Sequence, residues 1–137
     1  MKGDLLYIES SALVKLVWKE SESDALRAAL MEWPDRLSSE LAHIEVIRAA
    51  RCGPASAMTI LLGRAREVIA ALNLLAINED VLELAATVGP TRLRSLDAIH
   101  LASALTLGPD LGAMVTYDVA LASAARRAGI EILSPGS

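Results

Sequence analysis

Short, continuously apolar runs alternate along this chain with longer segments in which apolar residues recur every three or four positions. Leu5-Leu6-Tyr7-Ile8 lacks polar alternation, as a strand covered on both faces does, and it ends at Glu9-Ser10-Ser11. Ala12 to Lys19 then carries Leu13, Val14, Leu16 and Val17 at helical spacing. The chain therefore turns straight from strand to helix, with Ser10 or Ser11 as the expected N-cap. Ser21 to Trp33 predicts a second helix, capped by Ser21 or Ser23, with a buried stripe of Ala25, Leu26, Ala29, Leu30 and Trp33. Pro34-Asp35 stops it. Arg36 to Ser39 is a brief strand at best. Ser39 then caps a helix through Ile44, Val46, Ile47 and Ala50, which Gly53-Pro54 breaks.

The second half repeats the alternation. Ala55 to Leu72 predicts a long helix, Leu74 to Ile77 a short buried strand, and Asn78 the cap of a helix over 79–88 that ends at Gly89-Pro90. Leu93 to Leu105 predicts the next helix: Leu96, Ile99 and Leu101 form its stripe and alanines fill the gaps. Ala113 to Tyr117 is a strand that stops at Asp118. Val119 to Ala128 is a helix with Gly129 as its C′ residue, and Ile130 to Leu133 is a last strand. Strands alternating with helices imply an α/β fold: a mostly parallel sheet of four to five strands with helices on both faces, three layers in all. No repeat or linker interrupts the pattern, so residues 1–137 are expected to form a single domain.

Composition narrows this picture. With 53% hydrophobic residues and a mean hydropathy of +0.41, most elements should be buried on at least one side. Formal net charge is −4 and the pI about 5.1, which argues against a broad nonspecific nucleic-acid coat but leaves room for a local basic groove. Phe is absent and aromatics are 3%, so base-stacking platforms are not expected, and Trp18 and Trp33 read as core or partner-facing residues. The one cysteine, Cys52, excludes an internal disulfide framework and a thiolate zinc site. It reads as a small, partly buried helix-end residue, compatible with a reducing cytoplasm. The first residues, with Lys2 and Asp4, lack a signal-peptide apolar region, and no apolar stretch approaches the roughly 20 residues of a membrane span.

Chemistry enters through four acids at similar points of punctuation. Glu9 and Asp118 each end a buried strand and precede a helix; Glu45 and Asp97 lie near helix starts, at the border of the apolar face. In a parallel sheet, strand C-termini and the following helix N-termini share one end of the molecule. Each acid alone has a plain reading: a strand-end acid, a solvated helix residue, a dipole-favoured first-turn acid, an N-cap. Taken together, carboxylates in mutual contact are stabilised by protons or by cations. Oxygen-only clusters suit Mg²⁺ or Mn²⁺, which activate water and hold a phosphodiester for in-line attack. Arg48 and Arg51 follow Glu45, and Arg92 and Arg94 precede Asp97; they could contact phosphates, pair with the acids, or form surface ion pairs. His43, beside Glu45, reads as an exposed or satisfied residue.

These residues carry a resemblance. Tyr7-Ile8-Glu9-Ser10-Ser11-Ala12-Leu13-Val14-Lys15-Leu16 resembles the opening of PIN-domain ribonucleases, in particular the VapC toxins of prokaryotic toxin–antitoxin pairs. Ser39 to Val46 resembles the second motif, Leu93 to Ala102 matches the third and most specific one, and Val115-Thr116-Tyr117-Asp118 with Ala124-Ala125 resembles the fourth. The resemblance spans nearly the whole chain. It implies a PIN-like α/β/α fold and a metal-dependent endoribonuclease that cleaves structured RNA such as tRNA or rRNA. It further implies a homodimer held in check by a VapB-like antitoxin. Glu9, Glu45, Asp97 and Asp118 would hold Mg²⁺ or Mn²⁺, with Ser11 and Thr116 as supporting hydroxyls. The apolar faces around Val14, Val17, Trp18, Leu26 and Trp33 are candidates for antitoxin or dimer contact.

One position departs from the family pattern. Glu9 stands where the family has Asp, and an extra methylene moves the carboxylate by on the order of 1 Å, against the near-ideal octahedral geometry that Mg²⁺ requires. Reduced activity, a preference for Mn²⁺, or compensating backbone shifts would follow. Two other readings therefore stand beside the toxin: a housekeeping RNA-processing PIN nuclease, and a catalytically attenuated module that mainly dimerises and binds an antitoxin.

Overall fold

In the computed structural model, which describes residues 3–137, the chain alternates β1 (Leu5–Ile8), α1 (Ser10–Val17), α2 (Ser23–Leu30), β2 (Asp35–Ser39), α3 (Leu41–Ala50), α4 (Met58–Ala70), β3 (Asn73–Leu75), α5 (Glu79–Ala85), α6 (Ser95–Leu105), β4 (Leu111–Val115), α7 (Val119–Arg127) and β5 (Ile132–Leu133). Lys2 lies outside the described residues. The five strands form one sheet in the order β3-β2-β1-β4-β5, and every neighbouring pair is parallel. Among the described residues no helix is long and apolar enough to cross a membrane.

The two faces of β1 explain its unbroken apolar run. Successive side chains of a strand point to opposite faces. Leu6 and Ile8 enter one cluster with Ala113 and Val115 of β4, under α1, α2, α3 and α4. Tyr7 faces the other way, with Met114, into a cluster closed by Leu101 of α6 and Leu121, Ala124 and Ala125 of α7. This is the three-layer α/β/α arrangement expected from the pattern. Trp18 and Trp33 pack against the first cluster, as expected of core residues. Trp33 lies so close over Gly112 that a Cβ there would stand 2.5 Å from its ring, so only glycine fits at that point of β4.

Several boundaries differ from the sequence-based expectation. Glu9, rather than Ser10 or Ser11, is the N-cap of α1, because its own carboxylate reaches back to the Ser11 N–H. The second helix covers only Ser23–Leu30; the Ser23 hydroxyl accepts from the Glu20 N–H and donates to the Lys15 carbonyl, tying α2 to the end of α1. Ala55 to Ala57 forms a separate 3₁₀ turn before α4. Cys52 is exposed rather than partly buried. Val17 and Leu26 are core, which removes them from the candidate contact surface; Val14, Trp18 and Trp33 are half-buried.

With β1 at the centre, the chain first builds outward through β2 and β3 and then crosses to β4 on the other side. In such sheets the crevice beyond the strand C-termini, where the order reverses, is where ligands bind. Here that point lies between the ends of β1 and β4, at Glu9 and Thr116.

Candidate active site

Glu9, Ser10, Ser11, Val14, Glu45, Arg94, Ser95, Leu96, Asp97 and Asp118 line one cleft of about 390 Å³ at this edge. The four sequence-predicted acids thus share one cavity, contributed by the end of β1, by α3, by the first turn of α6 and by the residue that starts α7. They do not share one state.

Glu9 is almost fully buried and its carboxylate accepts from three donors. Oε1 accepts from the hydroxyls of Ser11 (2.5 Å) and Thr116 (2.7 Å), and Oε2 from the Ser11 N–H at 3.0 Å. Both hydroxyls also accept from backbone: Ser11 Oγ from the Tyr117 N–H, and Thr116 Oγ1 from the Asp118 N–H. A hydroxyl has one proton and two lone pairs. Each therefore gives its proton to Glu9 and takes a backbone proton from the chain leaving β4. The start of α1 is stitched to the end of β4 through this carboxylate.

Glu45 is held differently. Ser10 Oγ and His100 Nε2 converge on its Oε1 at 2.5 and 2.6 Å, and Tyr7 Oη lies 2.7 Å from His100 Nδ1. Burial alone would raise the Glu45 carboxyl, but the hydrogen bonds from His100 and Ser10 outweigh it and hold it below the usual carboxylate range. Burial pushes the Tyr7 hydroxyl far above its usual range, so it stays protonated. Sequence reasoning did not single out His100 or Tyr7. The available signal was a histidine in a stripe of alanines and leucines, three residues after Asp97 and hence on the same helix face.

Asp97 and Asp118 are the loosely held pair. Asp118 caps α7, Oδ1 accepting from the Leu121 N–H at 2.8 Å. Asp97 is half-buried in the first turn of α6, where the helix dipole favours it, with no side-chain partner among the described residues. Burial, then the nearby Asp118 and Glu9 carboxylates, raise its pKa above the ordinary aspartate value, with His100 and Arg94 opposing. The apolar neighbour Leu96 is 50% exposed and forms a lip of the cleft instead of core. Of the candidate phosphate contacts, only Arg94 lines the cleft; Arg48, Arg51 and Arg92 are exposed outside it, and His43 is exposed as expected.

The donor set suits a hard divalent cation in its chemistry: carboxylate oxygens only, with Asp97 destabilised as an anion by its acidic neighbours. As placed, no three acidic or imidazole groups among the described residues meet closely enough to hold a metal ion. The reason is visible in the hydrogen bonds, since Glu9 and one oxygen of Glu45 are turned toward protein donors.

Comparison with known proteins fits this layout. Residues 6–127, which contain all four acids, match the family model of the PIN domain. The chain belongs to the PIN-domain family, and within it to the VapC type. It is 45% identical over 130 residues to Ribonuclease VapC46 of Mycobacterium tuberculosis, covering 95% of this chain and 97% of that one. Ribonuclease VapC47 of the same species is 40% identical, with 97% and 98% covered, and Ribonuclease VapC35 is 37% identical, with 96% and 98% covered. In this PIN domain the first turn of α6 presents Asp97 to the cleft.

Proposed function

We propose that this VapC-type PIN domain, spanning 1–137, is a metal-dependent endoribonuclease and the toxin of a toxin–antitoxin pair. Its substrate would be structured RNA such as tRNA or rRNA, and its antagonist a VapB-like antitoxin. The observation that carries the reading is Asp97: a half-buried carboxylate without a side-chain partner among the described residues, raised by burial and by Asp118 and Glu9, in a cleft at the reversal point of a parallel sheet. The positive neighbours Arg94 and His100 offset that only in part.

Asp97, Asp118 and Oε2 of Glu45 would hold Mg²⁺ or Mn²⁺, with Glu9 beside them. Bound there, the cation would polarise a phosphodiester and lower the pKa of a water for attack. The chain's own residues orient that chemistry. Ser11 and Thr116 fix Glu9, Ser10 and His100 fix Glu45, and Arg94 at the mouth is placed to pair with a phosphate of the strand. Homodimerisation and a cytoplasmic location belong to the same proposal, the latter supported by a free, exposed Cys52.

The test is cleavage of total cellular RNA by purified protein with Mg²⁺, Mn²⁺ or EDTA, beside Asp97→Ala. Metal-dependent discrete fragments that vanish in the variant support the reading. Absence of cleavage with either metal counts against it. One observation favours a second reading, an attenuated module that mainly binds a partner: the Glu9 carboxylate already accepts from three donors, so it is poorly free to serve a cation. Glu9→Asp separates the two. Gain of cleavage identifies Glu9 as the attenuating residue, and continued silence favours the binding module.

A further inference from the structure

His100 is wholly buried, and both ring nitrogens are engaged, at 2.7 Å by Tyr7 and 2.6 Å by Glu45. An ionised carboxylate can only accept, so the proton between His100 and Glu45 sits on Nε2. For a neutral ring Nδ1 is then the acceptor, and the Tyr7 hydroxyl donates to it. The surroundings of Tyr7 agree with that direction. The hydroxyls of Ser38 and Ser103 lie near the Tyr7 oxygen, both are fully buried, and neither has a hydrogen-bond partner among the described residues. Buried hydroxyls without partners are costly. Turned toward Tyr7, either proton would occupy its oxygen and leave Tyr7's own proton to His100.

The histidine also bridges two elements. It stands on α6 one turn after Asp97, and it reaches Glu45 on α3. With Ser10 it fills Oε1 of Glu45 and leaves Oε2 without a hydrogen-bond partner among the described residues.

We propose that His100, oriented by Tyr7, is a positioning residue: it acts as a strut between α6 and α3 that fixes the Glu45 rotamer and decides which carboxylate oxygen is offered to the cleft beside Asp97. The proposal rests on the reading of the cleft as a cation-holding nuclease site. It differs from a general stabilising role in that it depends on a donor at the Nε2 position rather than on the volume of the ring. A residue supporting a ligating carboxylate is worth roughly 10–100-fold in metal affinity or activity.

The experiment measures Mn²⁺ binding to the full chain without RNA, by electron paramagnetic resonance titration, together with kcat and KM for RNA cleavage. The variants are His100→Leu, His100→Gln and Tyr7→Phe. Gln keeps an N–H donor near the Nε2 position; Leu does not. The expected result is a Mn²⁺ affinity lowered roughly 10–100-fold in His100→Leu, largely restored in His100→Gln and intermediate in Tyr7→Phe, with kcat falling and KM little changed. In the metal-free wild type, nitrogen-15 spectra of the imidazole should show a protonated Nε2. A folded His100→Leu variant that binds Mn²⁺ and cleaves as well as wild type overturns the proposal. So does a His100→Gln variant as impaired as His100→Leu, or a wild-type ring whose Nε2 carries no proton. If His100→Leu does not fold, unchanged Mn²⁺ affinity in Tyr7→Phe overturns it in the same way. A wild-type chain that neither binds Mn²⁺ nor cleaves RNA sinks the underlying nuclease reading first, and the strut with it.

Discussion

The two walls of the acid cleft are built on opposite plans. On the β1 and α3 side, Glu9 and Glu45 together accept hydrogen bonds from Ser10, Ser11, Thr116 and His100. On the α6 and α7 side, among the described residues, Asp118 accepts one backbone N–H and Asp97 no side-chain donor. The pKa directions follow: Glu45 is lowered by its donors, and Asp97 is raised by burial and by acidic neighbours. One wall is stable as an anion by itself, while the other waits for a positive charge. A site with every acid saturated would have no appetite for a cation, and one with every acid bare would strain the fold.

The largest effect that would break this contrast is on cleavage. Asp97→Asn should lower metal-dependent RNA cleavage by more than the roughly 100-fold that bounds the loss of a supporting partner. The same change should raise the thermal midpoint of the metal-free protein, because it removes an anion held at a disadvantage. Calorimetry beside a cleavage assay reads both signs, and a midpoint that falls would show Asp97 to be structural.

Thr116→Val tests the hydrogen-bonded wall next. It removes one donor to Glu9 Oε1 and the acceptor of the Asp118 N–H, and leaving buried groups unpaired costs about 1–3 kcal/mol. Urea unfolding with an unchanged m-value should show that loss, and an unchanged midpoint concentration would mean that Ser11 alone suffices.

The pH dependence of stability sharpens the comparison, since the walls have opposite signs. Glu45's folded pKa is depressed, so its contribution is present above the unfolded glutamate value of about 4.3 and is lost as pH falls through the folded value. Asp97's folded pKa is raised, so its charged form costs stability as pH rises from the unfolded value of about 3.9 through the raised one. In metal-free protein, Glu45→Gln should therefore lose stability relative to wild type on going from pH 2 to pH 7, and Asp97→Asn should gain. Parallel profiles would erase the distinction. The smallest effect belongs to the rim: Arg94→Ala should weaken RNA binding and reduce its salt slope by about 1, whereas Arg48→Ala, outside the cleft, should leave that slope unchanged.

How much of this was legible in the sequence depends on how far each partner lies along the chain. The acids could be placed because strand ends and helix starts are written locally, by Ser, Asn, Gly and Pro beside apolar runs. The parallel sheet then brings such points to one edge. The donors were harder. His100 meets Tyr7 across 93 positions and Glu45 across 55, and no local pattern encodes those distances. At Glu9 the sequence shows the longer side chain but not where its carboxylate goes, since Thr116 reaches it from 107 positions away. Leu96 belongs by its spacing to the buried stripe, but at 50% exposure in the first turn of α6 it lines the cleft.

The central place of β1 also bears on how the chain comes into being. The strand made first is flanked on one side by β4, and the bond from Thr116 to Glu9 joins residues 107 positions apart. Contacts of such sequence separation form late, after much chain entropy has been given up. Synthesis runs from the N-terminus, so a nascent chain carries Glu9 and Glu45 long before Asp97 and Asp118 exist to face them. Nearly the whole molecule must leave the ribosome before its cleft can close, and fragments released early are unable to assemble it.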